Sequence, residues 1–224
     1  MTQAFEINQS PVVPTTTAIE FLLDETGSMH SVWDQTISGF NEYVGGQKSQ
    51  PGECLLTLTK FDTRGVRTQY TDAAIANVAL LDRQSYIPTA STNLYDAIGQ
   101  RIHALTARQE TLPADTAILF VIMTDGEDNA SREYNAEIIK NLITEKQAAG
   151  WTFVFLGANQ DAWKVGQTFG MAKGNTMTYD NANIKGAMGD LCAATTAYRS
   201  VRSSGIVANA SSSTDFFNNT APGK

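Results

Sequence analysis

Three short segments of the sequence combine carboxylate and hydroxyl side chains in a spacing that suits a metal ion. Residues 24–28 read DETGS, residues 89–97 read TASTNLYDA, and residues 124–129 read TDGEDN. In the first segment, alternate residues of an extended turn direct their side-chain oxygens to one side. None of the segments contains cysteine or histidine, so the donors are hard oxygens. Such donors suit Mg²⁺, Mn²⁺ or Ca²⁺ rather than zinc or copper.

Each segment also has a purely structural interpretation. Thr26 or Ser28 could cap the helix that follows, and Thr92 could cap the next one. Asp125 and Gly126 could form only a turn. The metal interpretation is favoured because all three segments fall at places that the predicted elements would bring together.

Apolar runs of strand length alternate along the chain with segments of helical periodicity. Two runs, residues 18–23 and 117–123, are apolar almost throughout, as expected of strands buried on both faces. Further strands are predicted at residues 54–61, 66–70, 151–156 and 176–179. Helices are predicted at residues 31–44, 94–105, 132–149, 161–169 and 183–202. Gly45 and Gly46 are expected to end the first helix, and Ile138 is expected to point inward with the other apolar residues of the third.

This alternation predicts an α/β fold with a doubly wound, mainly parallel central sheet. Helices should cover both faces, and one antiparallel edge strand should follow a hairpin. Such sheets bind ligands beyond the carboxyl ends of the strands, where the strand order reverses. Asp24 and Asp125 directly follow the two most apolar strands, so we expect them to meet there.

Composition and net charge limit the domain organisation, the location and the partners of the chain. We expect residues 1–16 to be an irregular lead-in, residues 17–203 to form one domain, and residues 204–224 to be a polar, loosely ordered tail. No apolar run approaches the roughly 20 residues that span a bilayer, and the first residues lack the features of a signal peptide, which predicts a cytoplasmic protein. The net charge of −7 argues against nucleic acid or anionic lipid as partners. The two cysteines are predicted to be free thiols.

Together the three segments resemble the metal-ion-dependent adhesion site (MIDAS) of von Willebrand factor type A domains. The family pattern is Asp-x-Ser-x-Ser, then a Thr, then an Asp commonly followed by Gly. Asp24, Thr26 and Ser28 match the first part, Thr92 the second and Asp125 the third. The resemblance covers residues 17–200. The chain is similar to the stand-alone bacterial and phage members of this family. The departure is Thr26, where the family usually has Ser: the hydroxyl remains, but its methyl group could crowd the ion.

The resemblance implies a von Willebrand factor A-like, Rossmann-like fold and a protein-binding module rather than an enzyme. Thr26, Ser28 and Thr92 would offer neutral hydroxyls to one divalent cation, while Asp24 and Asp125 would bind it directly or through water. Mg²⁺ is the expected ion, with Mn²⁺ or Ca²⁺ as alternatives. An Asp or Glu of a protein partner would take the open coordination position.

Two other functions stay open at this point. A metal-dependent hydrolase or phosphotransferase could use a similar sheet, although phosphatases of the haloacid dehalogenase type need a carboxylate two residues after the first Asp, where Thr26 stands. A structural component of a phage particle, and thus a virion location, is the other alternative.

Several neighbouring side chains are not expected to be metal ligands. Glu25, Glu127 and Asp128 are predicted to form a solvated acidic rim. His30 is predicted to be a surface residue. Asp62 either supports the metal site from behind its ligands or simply begins the hairpin.

Overall fold

The structure is a computed structural model that describes residues 16–158, 162–203 and 214–218. Its centre is a six-stranded sheet with the order β3-β2-β1-β4-β5-β6. The strands are β1 (Thr16–Asp24), β2 (Glu53–Asp62), β3 (Gly65–Ala74), β4 (Thr116–Thr124), β5 (Thr152–Ala158) and β6 (Thr176–Tyr179). Only the β2–β3 pair is antiparallel among these neighbours. The predicted doubly wound sheet with one antiparallel edge strand is therefore confirmed.

The strand order reverses between β1 and β4. From β1 the chain proceeds outward through β2 to β3, then returns to the other side of β1 and proceeds through β4 and β5 to β6. Leu23 of β1 pairs with Met123 of β4, so the two strands end side by side. The crevice beyond them is where sheets of this class bind ligands.

Five α-helices of the described residues cover the sheet. They are α1 (Trp33–Lys48), α2 (Leu94–Arg108), α3 (Ala136–Ala148), α4 (Ala162–Thr168) and α5 (Ile184–Ser203). One core contains apolar residues of α1 and α5, and the other contains those of α2, α3 and α4. Within β1, Phe21 joins the first core and Leu22 the second, because successive side chains of a strand point to opposite faces.

The first helix is longer than predicted. It continues past Gly45 and Gly46 to Lys48, so the expectation that these glycines end it is wrong. A Cβ atom at Gly46 would lie 2.3 Å from the Sγ atom of Cys192 in α5. That glycine therefore permits close helix packing instead of terminating the helix. Both Cys192 and the buried Cys54 are free, as predicted.

The third helix begins at Ala136, four residues later than predicted. The buried carboxylate of Asp96 accepts hydrogen bonds from the three backbone N–H groups of residues 132–134, which holds this segment outside the helix. The Asn135 side chain then accepts from the N–H of Ile138 and caps the first turn. Ile138 itself is 41% exposed, so its predicted inward orientation is wrong.

The two ends of the chain lie largely outside the described residues. The predicted lead-in does so up to Thr16, which already belongs to β1. Of the predicted tail, residues 214–218 are described, and Phe216 in them is 1% exposed. Its ring packs 5.8 Å from that of Tyr198 in α5, so Phe216 contributes to the core. No helix among the described residues is long and apolar enough to cross a membrane.

Candidate metal centre

Asp24 ends β1 and lies at the bottom of the crevice. Its Oδ1 accepts a hydrogen bond of 2.7 Å from the backbone N–H of Thr26, and its Oδ2 accepts one of 2.5 Å from the Thr124 hydroxyl. The side chain is completely buried. Burial raises the pKa of this carboxyl to about 7, and the nearby Asp125 carboxylate contributes to the rise.

Thr26, Ser28 and Asp125 form a continuous hydrogen-bonded chain above Asp24. The Thr26 and Ser28 hydroxyl oxygens are 3.1 Å apart, and the Ser28 hydroxyl donates to Oδ1 of Asp125 at 2.6 Å. Burial raises the pKa of Asp125 as well. Four of the five predicted ligands thus belong to one cluster, although 101 residues separate its ends along the chain.

Thr92, the fifth predicted ligand, is held against the loop that carries Asp125. Its backbone N–H donates to Oδ1 of Asn129, and the N–H of Asn129 donates to its carbonyl, both at 3.0 Å. A Cβ atom at Gly126 would lie 3.2 Å from the Thr92 hydroxyl oxygen. Gly126 therefore lets this hydroxyl approach the backbone beside Asp125.

The loop before Thr92 is tied to the first segment of the site. The N–H of Gly27 donates to the carbonyl of Ala90, and the N–H of Thr89 donates to that of Glu25. Ala90 has a φ of 62°, a left-handed conformation that costs a non-glycine residue roughly 1–2 kcal/mol. Such strained residues are concentrated at functional sites.

Helix capping does not account for these hydroxyls. Thr26 stands at the start of a short 3₁₀ helix, but its side chain makes no capping hydrogen bond. The N-cap residue of α2 is Asn93, not Thr92, so that structural alternative is wrong.

The expected acidic rim is only partly present. Glu127 is exposed, as predicted, and Asp128 is half-buried and accepts from the N–H of Tyr95. Glu25 differs: it is 3% exposed, and its carboxylate lies 2.7 Å from the Arg67 guanidinium. The prediction for Glu25 is wrong because the β2–β3 hairpin supplies cations that make its burial favourable.

Asp62 begins the hairpin and pairs with its arginines. Its carboxylate lies 2.6 Å from the Arg64 guanidinium and 3.0 Å from that of Arg67. Burial has the largest single effect and raises the pKa of the Asp62 carboxyl. The hydrogen bonds from Arg67 and Arg64 together outweigh burial, so the pKa lies below its usual value. His30 is exposed, as predicted, and its ring lies 5.3 Å from that of Trp33.

Four supporting residues were missed in the sequence. Thr124 and Asn129 flank the predicted ligand Asp125, and their place inside the third segment was a usable signal. Tyr86 donates its hydroxyl to the carbonyl of Asp24 at 2.7 Å, and the Asn181 side chain hydrogen-bonds Asp125. The last two come from separate loops, and no local pattern marks them.

The chemistry of the cluster fits a divalent cation. Two carboxylates are held close together, and the groups that shift their pKa values include hydroxyls, an amide and backbone N–H groups but no cationic side chain. Buried carboxylates of this kind are stable when ionised only beside a positive charge. Within the described ranges, no three His, Cys, Asp or Glu residues form a group that could hold a metal, so a cation here would depend on hydroxyl ligands.

Comparison with known proteins identifies the fold. A scan against models of protein families finds no match. A search of curated proteins finds none either. Among solved structures, proximal thread matrix protein 1 from the mussel byssus is 14% identical with a TM-score of 0.58, over 79% of this chain and 47% of that one. This chain therefore spans about half of the length of the byssus protein structure.

Two other solved structures are similar. The manganese-loaded TRAP protein of Plasmodium vivax is 13% identical with a TM-score of 0.53, over 79% of this chain and 73% of that one. The pilus adhesin SpaC of Lactobacillus rhamnosus GG is 9% identical with a TM-score of 0.64, over 82% and 30%. A von Willebrand factor type A structure from Catenulispora acidiphila matches over 86% of this chain with a TM-score of 0.50. The chain has the von Willebrand factor A-type fold.

Proposed function

We propose that this chain is a non-enzymatic, metal-dependent protein-binding module. Asp24, Thr26, Ser28, Thr92 and Asp125 hold one divalent cation, and an Asp or Glu of a protein partner completes its coordination. Mg²⁺ is the proposed ion, with Mn²⁺ and Ca²⁺ as alternatives. The observation that carries this proposal is the joining of four of these residues in one hydrogen-bonded cluster beyond β1 and β4.

The ligand chemistry explains why such an ion would bind a partner. Three of the five donors are neutral hydroxyls, so few carboxylates coordinate the cation directly and it stays electrophilic. Mg²⁺ takes six oxygen ligands and usually retains water. A carboxylate of the partner that replaces such a water gains a strong, directional bond to the cation.

Similar structures support both the metal and the adhesive role. One structure of the mussel byssus protein has zinc in its MIDAS motif, the TRAP structure is loaded with manganese, and SpaC is a pilus adhesin. The hydrolase alternative has no comparable support, because Thr26 occupies the position where a phosphatase of the haloacid dehalogenase type needs its carboxylic acid.

Thermal unfolding in EDTA and in excess Mg²⁺, Mn²⁺ or Ca²⁺ tests the metal. A cation at a hundredfold excess over its Kd adds about 2.7 kcal/mol to the free energy of unfolding, which raises Tm by roughly 5–10 °C in a chain of this size. Thr26→Ser should keep this shift because it keeps the hydroxyl. Thr26→Val, which has the same shape without the oxygen, should weaken cation affinity about tenfold or more. The same Tm with every ion and with EDTA contradicts the proposal.

A pull-down with wild type and Asp125→Ala tests the partner. The variant should lose both the cation-dependent Tm shift and the partner while it remains folded. A partner that wild type and Asp125→Ala retain equally does not use the ion. In a separate assay, phosphatase activity that disappears in Asp24→Asn would favour the hydrolase instead.

A further inference from the structure

A second feature adjoins the candidate metal centre: an open, positively charged cavity of about 270 Å³. Its lining residues are Glu25, Lys60, Arg64, Arg67, Gln84, Ser85 and Ile87. Glu25 stands between the predicted ligands Asp24 and Thr26, so this cavity and the metal site share one loop. Because alternate side chains of an extended segment point to opposite sides, the cavity lies across that loop from the ligands.

The side chains that line this cavity carry more positive than negative charge. Lys60, Arg64 and Arg67 contribute three positive charges, and the carboxylates that pair with them are Glu25 and Asp62. The Asp82 carboxylate lies beyond the lining and accepts a hydrogen bond from the Ser85 hydroxyl. Among the lining side chains and their ion-pair partners, one positive charge is in excess, in a chain whose net charge is −7. An excess cation beside a binding site attracts an anionic group and repels a cationic one.

Arg64 is the group best placed to meet a ligand. Its side chain is 48% exposed, and its hydrogen bonds to Asp62 and to the carbonyl of Ile87 run through Nε and Nη2. The Nη1 atom carries two further N–H donors. These N–H groups can donate charge-assisted hydrogen bonds to a carboxylate. Ile87, which is 45% exposed, adds an apolar wall for methylene groups.

The opposite rim of the site has the opposite character. Glu127 of the β4–α3 loop is exposed there. A partner that approaches the ion thus meets a positive cavity on the side of the β2–β3 hairpin and a negative charge on the side of the β4–α3 loop. This asymmetry favours one direction of an acidic segment across the site.

We propose that the partner binds through a pair of acidic residues, one on the cation and the other in this cavity on Arg64. This inference rests on the proposed function and specifies its partner: an extended acidic segment whose two carboxylates are a few residues apart. Each residue of an extended chain spans about 3.3 Å, so the number of residues between the two carboxylates sets how far apart the two contacts can lie. Arg64 is then a determinant of specificity rather than a metal ligand.

Synthetic peptides can test this pairing without knowledge of the natural partner. The probes are capped glycine peptides with two Asp residues separated by zero to four Gly, and peptides of equal length in which the second Asp is Asn. Binding to the full chain is measured by calorimetry in excess Mg²⁺ and again in EDTA. At the best spacing, the two-acid peptide should bind about tenfold more tightly than its one-acid control, and neither should bind in EDTA.

Arg64→Gln should abolish the advantage of the second Asp while leaving the affinity for the one-acid peptide and for Mg²⁺ unchanged. Its fold is protected because Asp62 keeps two hydrogen bonds from Arg67. Arg83→Gln is the matched control, since Arg83 is a 62% exposed arginine paired with Asp34 and does not line the cavity. That variant should keep the full advantage.

The possible failures are distinct. If Mg²⁺ neither raises Tm nor supports binding of any peptide, the proposed function is wrong and this inference falls with it. If Mg²⁺ and the one-acid peptides bind but no spacing gives an advantage, only the acidic pair is wrong. An advantage that persists in Arg64→Gln also overturns the assignment of this cavity.

Discussion

At the scale of single residues, the buried carboxyl of Asp24 should link the proposed metal binding to pH. Its pKa is about 7 in the folded chain and 3.8 as a free group, so the folded state holds a proton that the unfolded state releases between these values. The free energy of unfolding of the metal-free protein should therefore fall as pH rises from 4 to 7, by about 3 kcal/mol. Chemical denaturation in EDTA across this range measures the change.

Asp24→Asn is the matched variant, since asparagine is neutral at every pH. In EDTA, the free energy of unfolding of the wild type should fall relative to that of the variant as pH rises from 4 to 7. Above pH 7 the variant should be the more stable protein. Mg²⁺ should reverse that order, because a bound cation stabilises the ionised carboxylate that only the wild type has. A wild type that stays more stable in EDTA at pH 8 contradicts the interpretation.

The sequence indicated the candidate metal ligands more readily than the residues that support them. Asp24 and Asp125 were identifiable because each follows an apolar run, and parallel strands end at a common edge. Tyr86 and Asn181 were not, because a phenol and an amide in distant loops have no characteristic spacing. Glu25 was misjudged for the same reason: its burial depends on Arg67, 42 residues further along the chain.

At the scale of elements, Gly46 determines how closely α1 and α5 pack. A Cβ atom there would lie 2.3 Å from the Sγ atom of Cys192, so Gly46→Ala should force the helices apart. Overpacking of this kind costs typically 1–3 kcal/mol, which exceeds the gain of up to about 1 kcal/mol in helix propensity. We expect a net loss of stability, measured by denaturant unfolding.

Gly45 provides the control for this prediction. It lies in the same helix turn, but a Cβ atom there meets nothing within 4 Å, so Gly45→Ala should stabilise the protein by up to about 1 kcal/mol. In a double variant, Cys192→Ala should relieve the clash and restore most of the loss in Gly46→Ala. Equal effects at Gly45 and Gly46 would show that packing against α5 is not the cause.

The elements themselves show what local patterns can predict. The strand and helix types followed from apolar periodicity, which reports which face is buried. Gly46 of α1 was misread because its reason, the close approach of Cys192, lies in another helix. Glu20 in the middle of β1 likewise has no local explanation, and the structure supplies one: Arg101 and Arg108 of α2 lie 2.8 Å and 2.7 Å from its carboxylate.

At the scale of the whole molecule, the topology determines where the site can form. The strand order reverses between β1 and β4, and the reversal leaves a crevice between the ends of these two strands. The chain end was harder to predict, because a Ser- and Asn-rich composition indicates little burial. Its two adjacent aromatic residues, Phe216 and Phe217, were the contrary signal.

Phe216 should make a large contribution to the stability of the whole fold. Its ring is 1% exposed and packs against Tyr198, while its N–H donates to Oδ1 of Asn175, whose amide in turn donates to the carbonyl of Phe153 in β5. Phe216→Ala should cost about 3–5 kcal/mol, which lowers Tm by roughly 10 °C. Calorimetric unfolding measures both quantities.

Phe217→Ala is the neighbouring control, because its side chain is only half-buried and truncation leaves a smaller cavity. It should lower Tm clearly less than Phe216→Ala. Neither residue contacts the candidate ligands, so the additional Tm gained in Mg²⁺ should be the same in both variants as in wild type. Two variants with equally small losses would place residues 214–218 outside the cooperative core, whereas a reduced Mg²⁺ gain in Phe216→Ala alone would connect this segment to the metal site through the sheet.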